Sequence, residues 1–325
     1  VTTSGTVVHN YGAAGTYSVV CIGTVDGITL DFPAESLTAL PADITERGPG
    51  KLIGTAWLRG QSSLATVSAA DAPDLSLVTD GANAFQDCTA LTTAPNFSVW
   101  PLLPGTDRTE MFRNCNQFNG AVYPNLLTGA TSISGVFQDC ALFDNGSVSM
   151  APIALGAGCD YSSAFEGAST FNQFPPTAAA PGPDMSRVFA FASSFNRNLG
   201  TGFVTSAVTT MEAMFAGAGA FDNGGSDDMG TWDVTSVTTI NDMFQFAASF
   251  SRRIFGSGAG FWDPAAMTAC VGSFLGCSAF NNGGFSMQGS VLPVGADLSS
   301  MFNGCTALTV LPPSCLGVAN ATGTF

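Results

Sequence analysis

The chain has 325 residues, 46% of them hydrophobic and only 10% charged, with 38 glycines. Nine Lys plus Arg against 24 Asp plus Glu leave a net charge of −15, which argues against nucleic acid or an anionic membrane as a partner. A single histidine, His9, and nine cysteines without a CxxC pair argue against His-based triads, multi-His metal sites and zinc or thioredoxin-like motifs.

In chain order, the first predicted elements are two strands around His9-Asn10-Tyr11-Gly12-Ala13-Ala14-Gly15-Thr16-Tyr17-Ser18-Val19-Val20-Cys21. This segment resembles the last strand pair of a PKD-type β-sandwich, whose HxYxxxGxYxV signature it carries. An isolated strand pair is marginal in water, so residues 1–31 are expected to cap the next unit of the chain or to be completed by further chain. No basic segment followed by an apolar one succeeds Val1, so no targeting signal is in view. No run approaches the roughly 18 apolar residues of a membrane helix. Residues 32–325 then form the second unit, beginning with a degenerate coil through residue 53 that contains Leu37-Thr38-Ala39-Leu40-Pro41.

From Leu58 onward the sequence repeats. Aligned on one aromatic, the anchors are Phe85, Phe112, Phe137, Phe165, Phe189, Phe215, Phe244, Phe274 and Phe302, and Phe325 begins what reads as a further copy. A second large apolar residue stands six positions later: Leu64, Leu91, Phe118, Phe143, Phe171, Phe195, Phe221, Phe250, Phe280 or Leu308. Three positions after the anchor the residue is small, Cys88, Cys115, Cys140, Cys277 and Cys305 alternating with Ala168, Ala192, Ala218 and Ala247. Interchange of Cys with Ala is the behaviour of a buried small apolar position, so free thiols are expected there rather than bridges between coils.

Apolar residues at offsets −4, −1, 0 and +3 from the anchor make the i, i+3, i+4, i+7 stripe of a short amphipathic helix. At −5 stand Asp80, Asp107, Ser132, Asp160, Asp184, Thr210, Thr239 and Asp297, whose side-chain oxygens suit an N-cap. Each coil is therefore expected to open with a capped helix of about two turns, then turn at Asn119, Asp144, Asn172, Asn196, Asp222, Ser251 or Asn281, then run into a short strand. The architecture this predicts is an α/β solenoid of about ten coils, each a short helix plus a short parallel strand, stacked at ~4.8 Å into a slab about 50 Å long. A small β cap precedes it.

The segments Ala84-Phe85-Gln86-Asp87-Cys88-Thr89-Ala90-Leu91-Thr92 and Ser300-Met301-Phe302-Asn303-Gly304-Cys305-Thr306-Ala307-Leu308-Thr309 resemble BspA-type leucine-rich repeats. So does Trp232-Asp233-Val234-Thr235-Ser236-Val237-Thr238-Thr239-Ile240-Asn241-Asp242-Met243-Phe244, in its WDVSxVTxMxxMF form. The resemblance spans residues 54–325. It implies a leucine-rich-repeat protein of a bacterial cell or viral surface, acting in adhesion or host recognition, and it carries over no catalytic residue. Around Phe165 and Phe189 the Trp-Asp segment is replaced by Pro175-Pro176-Thr177-Ala178-Ala179-Ala180-Pro181-Gly182-Pro183, a departure on the strand side.

Several residues invite a chemical reading beside a structural one. Asp222, Asp227 and Asp228 lie on a Gly-rich loop whose oxygens suit Ca²⁺, although the spacing is not that of an EF-hand and a solvated turn is the competing reading. The same cluster with Glu212 and Asp242 is where paired carboxylates of a glycan-degrading solenoid enzyme would be sought. Trp100, Trp232 and Trp262 each stand twelve residues before an anchor, a ladder that suits sugar stacking or, alternatively, a recurring core position. Asn96, Asn145 and Asn320 open glycosylation sequons.

The expectation is a non-enzymatic surface protein without metal or cofactor, extracellular on a cell or virion, recognising a host glycan or protein. A structural subunit of a fibre or filament, with copies of itself or further chain at both ends as partners, is the alternative.

Overall fold

The computed structural model describes residues 43–44, 51–54, 58–67, 74–93, 98, 100–200, 203–256, 262, 266–287, 295–309 and 323. The strand pair and cap expected over 1–31, and the copy expected to begin at Phe325, lie outside the described residues.

Parallel pairing joins successive coils. β1 (Asp43–Ile44) pairs with β3 (Thr66–Val67), β2 (Lys51–Gly54) with β4 (Asp74–Val78), and β5 (Ala154–Leu155) with β6 (Thr177–Ala178), all parallel. β1 and β2 belong to the degenerate first coil and register with the coil after it. Elsewhere the pairing is reduced to single parallel bridges, as in Asp107–Ser132–Asp160 and Asp184–Thr210–Thr239–Ala269–Asp297. The repeat solenoid is thus present, but its strands are short and the bridge column stands five residues before the anchors instead of running as a sheet after the second anchor.

The helix expected to open each coil is replaced by consecutive tight turns. Position −2 has φ between 52° and 60° in all nine coils, from Asn83 to Ser300, and position +2 has φ between 58° and 80°, from Asp87 to Gly304. A left-handed residue every fourth position cannot continue a right-handed helix; it is what the third residue of a type II turn requires. Hydrogen bonds spanning three residues close these turns, for example Met214 N to Met211 O and Ala218 N to Phe215 O, and Ala216 N to Ala213 O closes the turn that links them. Turns chained in this way return side chains to the same side at −4, −1, 0 and +3, which is why the sequence mimics helical spacing. The residues at −5 do cap: Asp80, Asp107, Asp160, Asp184 and Asp297 each accept the backbone N–H two residues on, at 2.7 to 3.0 Å. They close Asx turns, not helix N-termini. Among the described residues the α-helical segment is a single turn, α1 (Pro124–Leu127).

The amides the turns leave over bind the next coil. Residues −4, −2, 0 and +2 donate to carbonyls −5, −3, −1 and +1 of the following coil, as in Gly81 N to Asp107 O, Asn83 N to Thr109 O, Phe85 N to Met111 O and Asp87 N to Arg113 O. Even and odd amides are thereby divided between the coil's own turns and its neighbour, and the buried backbone is satisfied without regular secondary structure.

Inside this ladder stand two columns of stacked rings. Successive anchors from Phe85 to Phe302 are 5.0 to 5.6 Å apart. Second anchors from Phe118 to Phe280 are 5.8 to 6.1 Å apart. Within a coil the two rings stack at 3.9 to 4.7 Å. The rings belong to one hydrophobic cluster running from Leu58 to Cys305, and each fully buried ring contributes ~1.5–3 kcal/mol before its stacking is counted.

The connections between coils are individual. Before Phe137 the chain forms α1, and the −4 position of the preceding coil holds Arg108, buried where other coils place an apolar side chain. Its guanidinium donates to the carbonyls of Leu126, Leu103, Pro104, Gly105 and Asp107, which fastens the 103–107 connection and α1 to the spine. Burial presses its pKa below the usual arginine value, with Asp80 and Asp107 opposing.

Candidate functional surface

A solenoid works through its lateral faces, so the site is sought among the side chains that the inter-coil ladders do not consume. The turn column at +7 is consumed. Asn119, Asp144, Asn172, Asn196, Asp222, Ser251 and Asn281 each use a side-chain oxygen to accept the +7 amide of the next coil, at 2.8 to 3.2 Å, ending on Thr309. The next position is consumed as well: Asn145, Asn223 and Asn282 are buried, each with its amide oxygen accepting a backbone N–H of the preceding coil and its amide nitrogen donating to backbone carbonyls. The sequon at Asn145 is therefore closed to a glycan, while Asn96 and Asn320 lie outside the described residues.

The carboxylates of the acidic loop are engaged within the protein. Asp222 Oδ1 accepts Ser251 N and Arg252 Nε, Asp227 Oδ1 accepts Arg253 N, and Asp228 accepts the amides of Asn198 and Asn223. No group of three His, Cys, Asp or Glu that could hold a metal occurs among the described residues. The three carboxylates suggested for calcium, Asp222, Asp227 and Asp228, are taken up by Arg252, by backbone amides and by the side-chain amides of Asn198 and Asn223. Of the two further carboxylates, Asp242 is raised by burial and by the charge of Glu212.

Trp100, Trp232 and Trp262 are 4%, 4% and 3% exposed and belong to the core. Trp232 Nε1 donates to Gly200 O and Trp262 Nε1 to Met229 O. Their faces are not open to a sugar; the sugar-stacking reading of these three residues is corrected to a core position in their three coils. The thiols at +3 are free and buried. Each donates to the anchor carbonyl of the preceding coil, Cys115 Sγ to Phe85 O and Cys140 Sγ to Phe112 O for example, at 2.6 to 3.1 Å across the five. The Cys115 thiol and burial push Cys88 up, and burial raises Cys159 and Cys270 to about 12. Cys21 and Cys315 lie outside the described residues.

Seven large apolar side chains are exposed among the described residues, Leu102, Leu142, Val148 and four phenylalanines. Phe174, Phe191, Phe246 and Phe285 are exposed by 40% to 58%. Guanidinium groups sit over three of them, Arg197 over Phe174 at 5.7 Å, Arg187 over Phe191 at 6.0 Å and Arg253 over Phe285 at 4.3 Å. Beside Phe174 lies an open groove of ≈ 360 Å³ with Phe203, Asn198 and Asp228 on its wall. Arg187 is itself fixed by Glu166, to which Nη2 and Nε both donate. Burial pushes the Glu166 carboxyl up, but the bonds from Arg187, Ser163 and Gln138 outweigh it and hold it below the usual carboxylate range.

Residues 60–178 and 183–311 match the family described as Mycoplasma protein of unknown function, DUF285. The chain belongs to this family. The match covers the ring columns and the amide ladders of the DUF285 chain. Among solved structures, a leucine-rich cell surface protein of Faecalibacterium prausnitzii A2-165 is similar at 13% identity and a TM-score of 0.33, over 85% of this chain and 86% of that one. Among curated proteins nothing matches. No helix among the described residues is long and apolar enough to cross a membrane.

The sequence reading passed over Arg108, the buried asparagines at +8 and the exposed rings. The signal for the rings was in the alignment: the +2 column reads Asp, Asn, Asp, Gly, Phe, Gly, Phe, Gly, Gly from Asp87 to Gly304.

Proposed function

We propose that this DUF285 chain is a non-enzymatic repeat protein displayed on a cell or virion surface, where a lateral face of the stacked coils serves in adhesion or host recognition. The observation that supports this best is the division of side chains. Recurring polar groups are absorbed in inter-coil hydrogen bonds, and aromatic rings that would gain by burial stand open on the same stack. A rigid, low-charge array with open rings is suited to binding extended ligands along its length rather than to holding one small substrate in a cleft.

The test is binding of the full chain to arrays of glycans and of cell-surface proteins, with the same ligands assayed for cleavage. Retention of a restricted set of ligands without product release is expected. Turnover of any bound glycan overturns the non-enzymatic part. Self-association with no retention at all replaces recognition by the fibre-subunit reading.

A further inference from the structure

Position +2 takes left-handed backbone in all nine coils. Seven of them place Gly, Asn or Asp there, the residues that tolerate it. The other two place phenylalanine, Phe191 with φ 59° and Phe246 with φ 58°. Both rings are more than half exposed, at 54% and 58%. A bulky residue in this conformation is strained, and a ring in water is not rewarded by burial, so these two side chains carry two costs that the fold does not require.

Both are accommodated by the same device. A Cβ on Gly217, at +2 of the coil after Phe191, would stand 2.6 Å from Phe191 Cδ1, and a Cβ on Gly276 would stand 2.4 Å from Phe246 Cδ1. Each ring thus leans on the bare backbone of the next coil, and four successive coils read Phe, Gly, Phe, Gly. Beside this column, at +4, are Ser193, Gly219, Ala248 and Ser278, all small. The rings rise from a low surface, two coils apart, which at ~4.8 Å per coil is about 10 Å.

We infer that Phe191 and Phe246 form a stacking platform for a neutral, extended polysaccharide of equatorially linked pyranoses, the β-1,4-linked type. In such a ribbon alternate sugars present the same C–H-rich face, and the disaccharide repeat is of the size that separates the two rings. Each ring takes one pyranose face on its solvent side, and Arg187 at 6.0 Å from the Phe191 ring offers hydroxyl groups a donor at one end. A net charge of −15 disfavours acidic polysaccharides. A second copy of the chain fits less well: a stable interface covers ~800 Å² per partner with a contiguous apolar centre, and these rings are isolated by glycine and serine.

This names the ligand class for the recognition reading above and rests on it. The test uses the full chain, retained on microcrystalline cellulose and on chitin, with amylose as the α-linked control, for the wild type, Phe191→Asn, Phe246→Asn and the double variant. Asn114 occupies the same position with φ 60°, so the substitutions relieve the backbone and melting temperatures are expected to stay level or rise. The wild type is expected to be retained on cellulose or chitin and not on amylose. Each single variant should bind at least tenfold more weakly, and the double variant should pass through. Wild-type flow-through, equal retention on amylose, or undiminished binding by the double variant overturns the platform. Array ligands whose binding ignores both substitutions leave surface recognition standing and remove this proposal. A wild-type dimer in light scattering that the double variant dissolves, with no polysaccharide retained, assigns the rings to contact between copies instead.

Discussion

The anchor segment of each coil, from five residues before its phenylalanine to eight after, differs in kind from the connection that leads to the next. The anchor segments make the same turns and the same pattern of amide bonds to the next coil, and from Phe112 to Phe274 the same pair of stacked rings, whatever residue stands at their outward positions. The connections share none of this: one holds α1 and is fastened by Arg108, two pair with each other through β5 and β6, and two are filled by Trp232 and Trp262. The lesson is that a solenoid fixes only what must match the coil above and below, and the remainder is free to carry local solutions and surface chemistry.

Removing a ring from the spine has the largest effect. Phe215→Ala takes away a side chain stacked on Phe189, Phe221 and Phe244 and should cost about 3–5 kcal/mol, measured by denaturant unfolding. A connection is broken at Arg108: Arg108→Met leaves buried carbonyls of the 103–107 connection and α1 without their donor and should cost about 3 kcal/mol. Hydrogen exchange should report that loss mainly at 100–130, whereas truncating Phe215 should be felt by coils on both sides. Asn282→Ala removes four bonds of a buried amide at a left-handed residue and should cost about 2 kcal/mol.

Acid acts on two carboxylates with opposite sign. Glu166 is depressed in the fold, so its bonds to Arg187 stabilise the protein above the ordinary carboxyl pKa of about 4.3 and are lost as pH falls through its lower folded value. Glu166→Gln should flatten that part of the acid limb in a melting series. Asp242 has the opposite sign: raised by burial and Glu212, its ionised form is disfavoured by folding, so Asp242→Asn should raise the melting temperature at neutral pH. The smallest effect belongs to the thiols. Cys140→Ala forfeits one S–H bond in a column that accepts alanine in four other coils, and should cost about 1 kcal/mol or less. The seven described thiols should resist alkylation at pH 8 until the protein unfolds.

The sequence made the anchors, the small +3 column and the repeat length legible because those positions repeat in residue type. It misassigned the backbone between them. Offsets −4, −1, 0 and +3 satisfy a helix and a chain of type II turns equally, and the deciding signal, a left-handed residue at −2 and +2, was hidden under Glu110, Arg187, Ala213, Phe191 and Phe246, which give no hint of positive φ. The aspartates at −5 were read as helix N-caps; an Asx turn uses the same bond to the amide two residues on, and it is Asx turns that they close. The tryptophans were read with both roles open, since recurrence at one offset cannot distinguish an inward from an outward column; burial decides it. Arg108 could not be foreseen, because the carbonyls that neutralise it come from a connection with no counterpart in other coils.

The most direct test of the stacked-turn spine is residue-resolved amide hydrogen exchange in the native chain. The amides of Phe112, Phe137, Phe165, Phe189, Phe215, Phe244 and Phe274 each donate to the next coil and should form one uniformly slow set, with the +2 amides slow beside them. Protection that follows a helical i to i+4 pattern within coils, or that divides the set into blocks of unrelated stability, would contradict it.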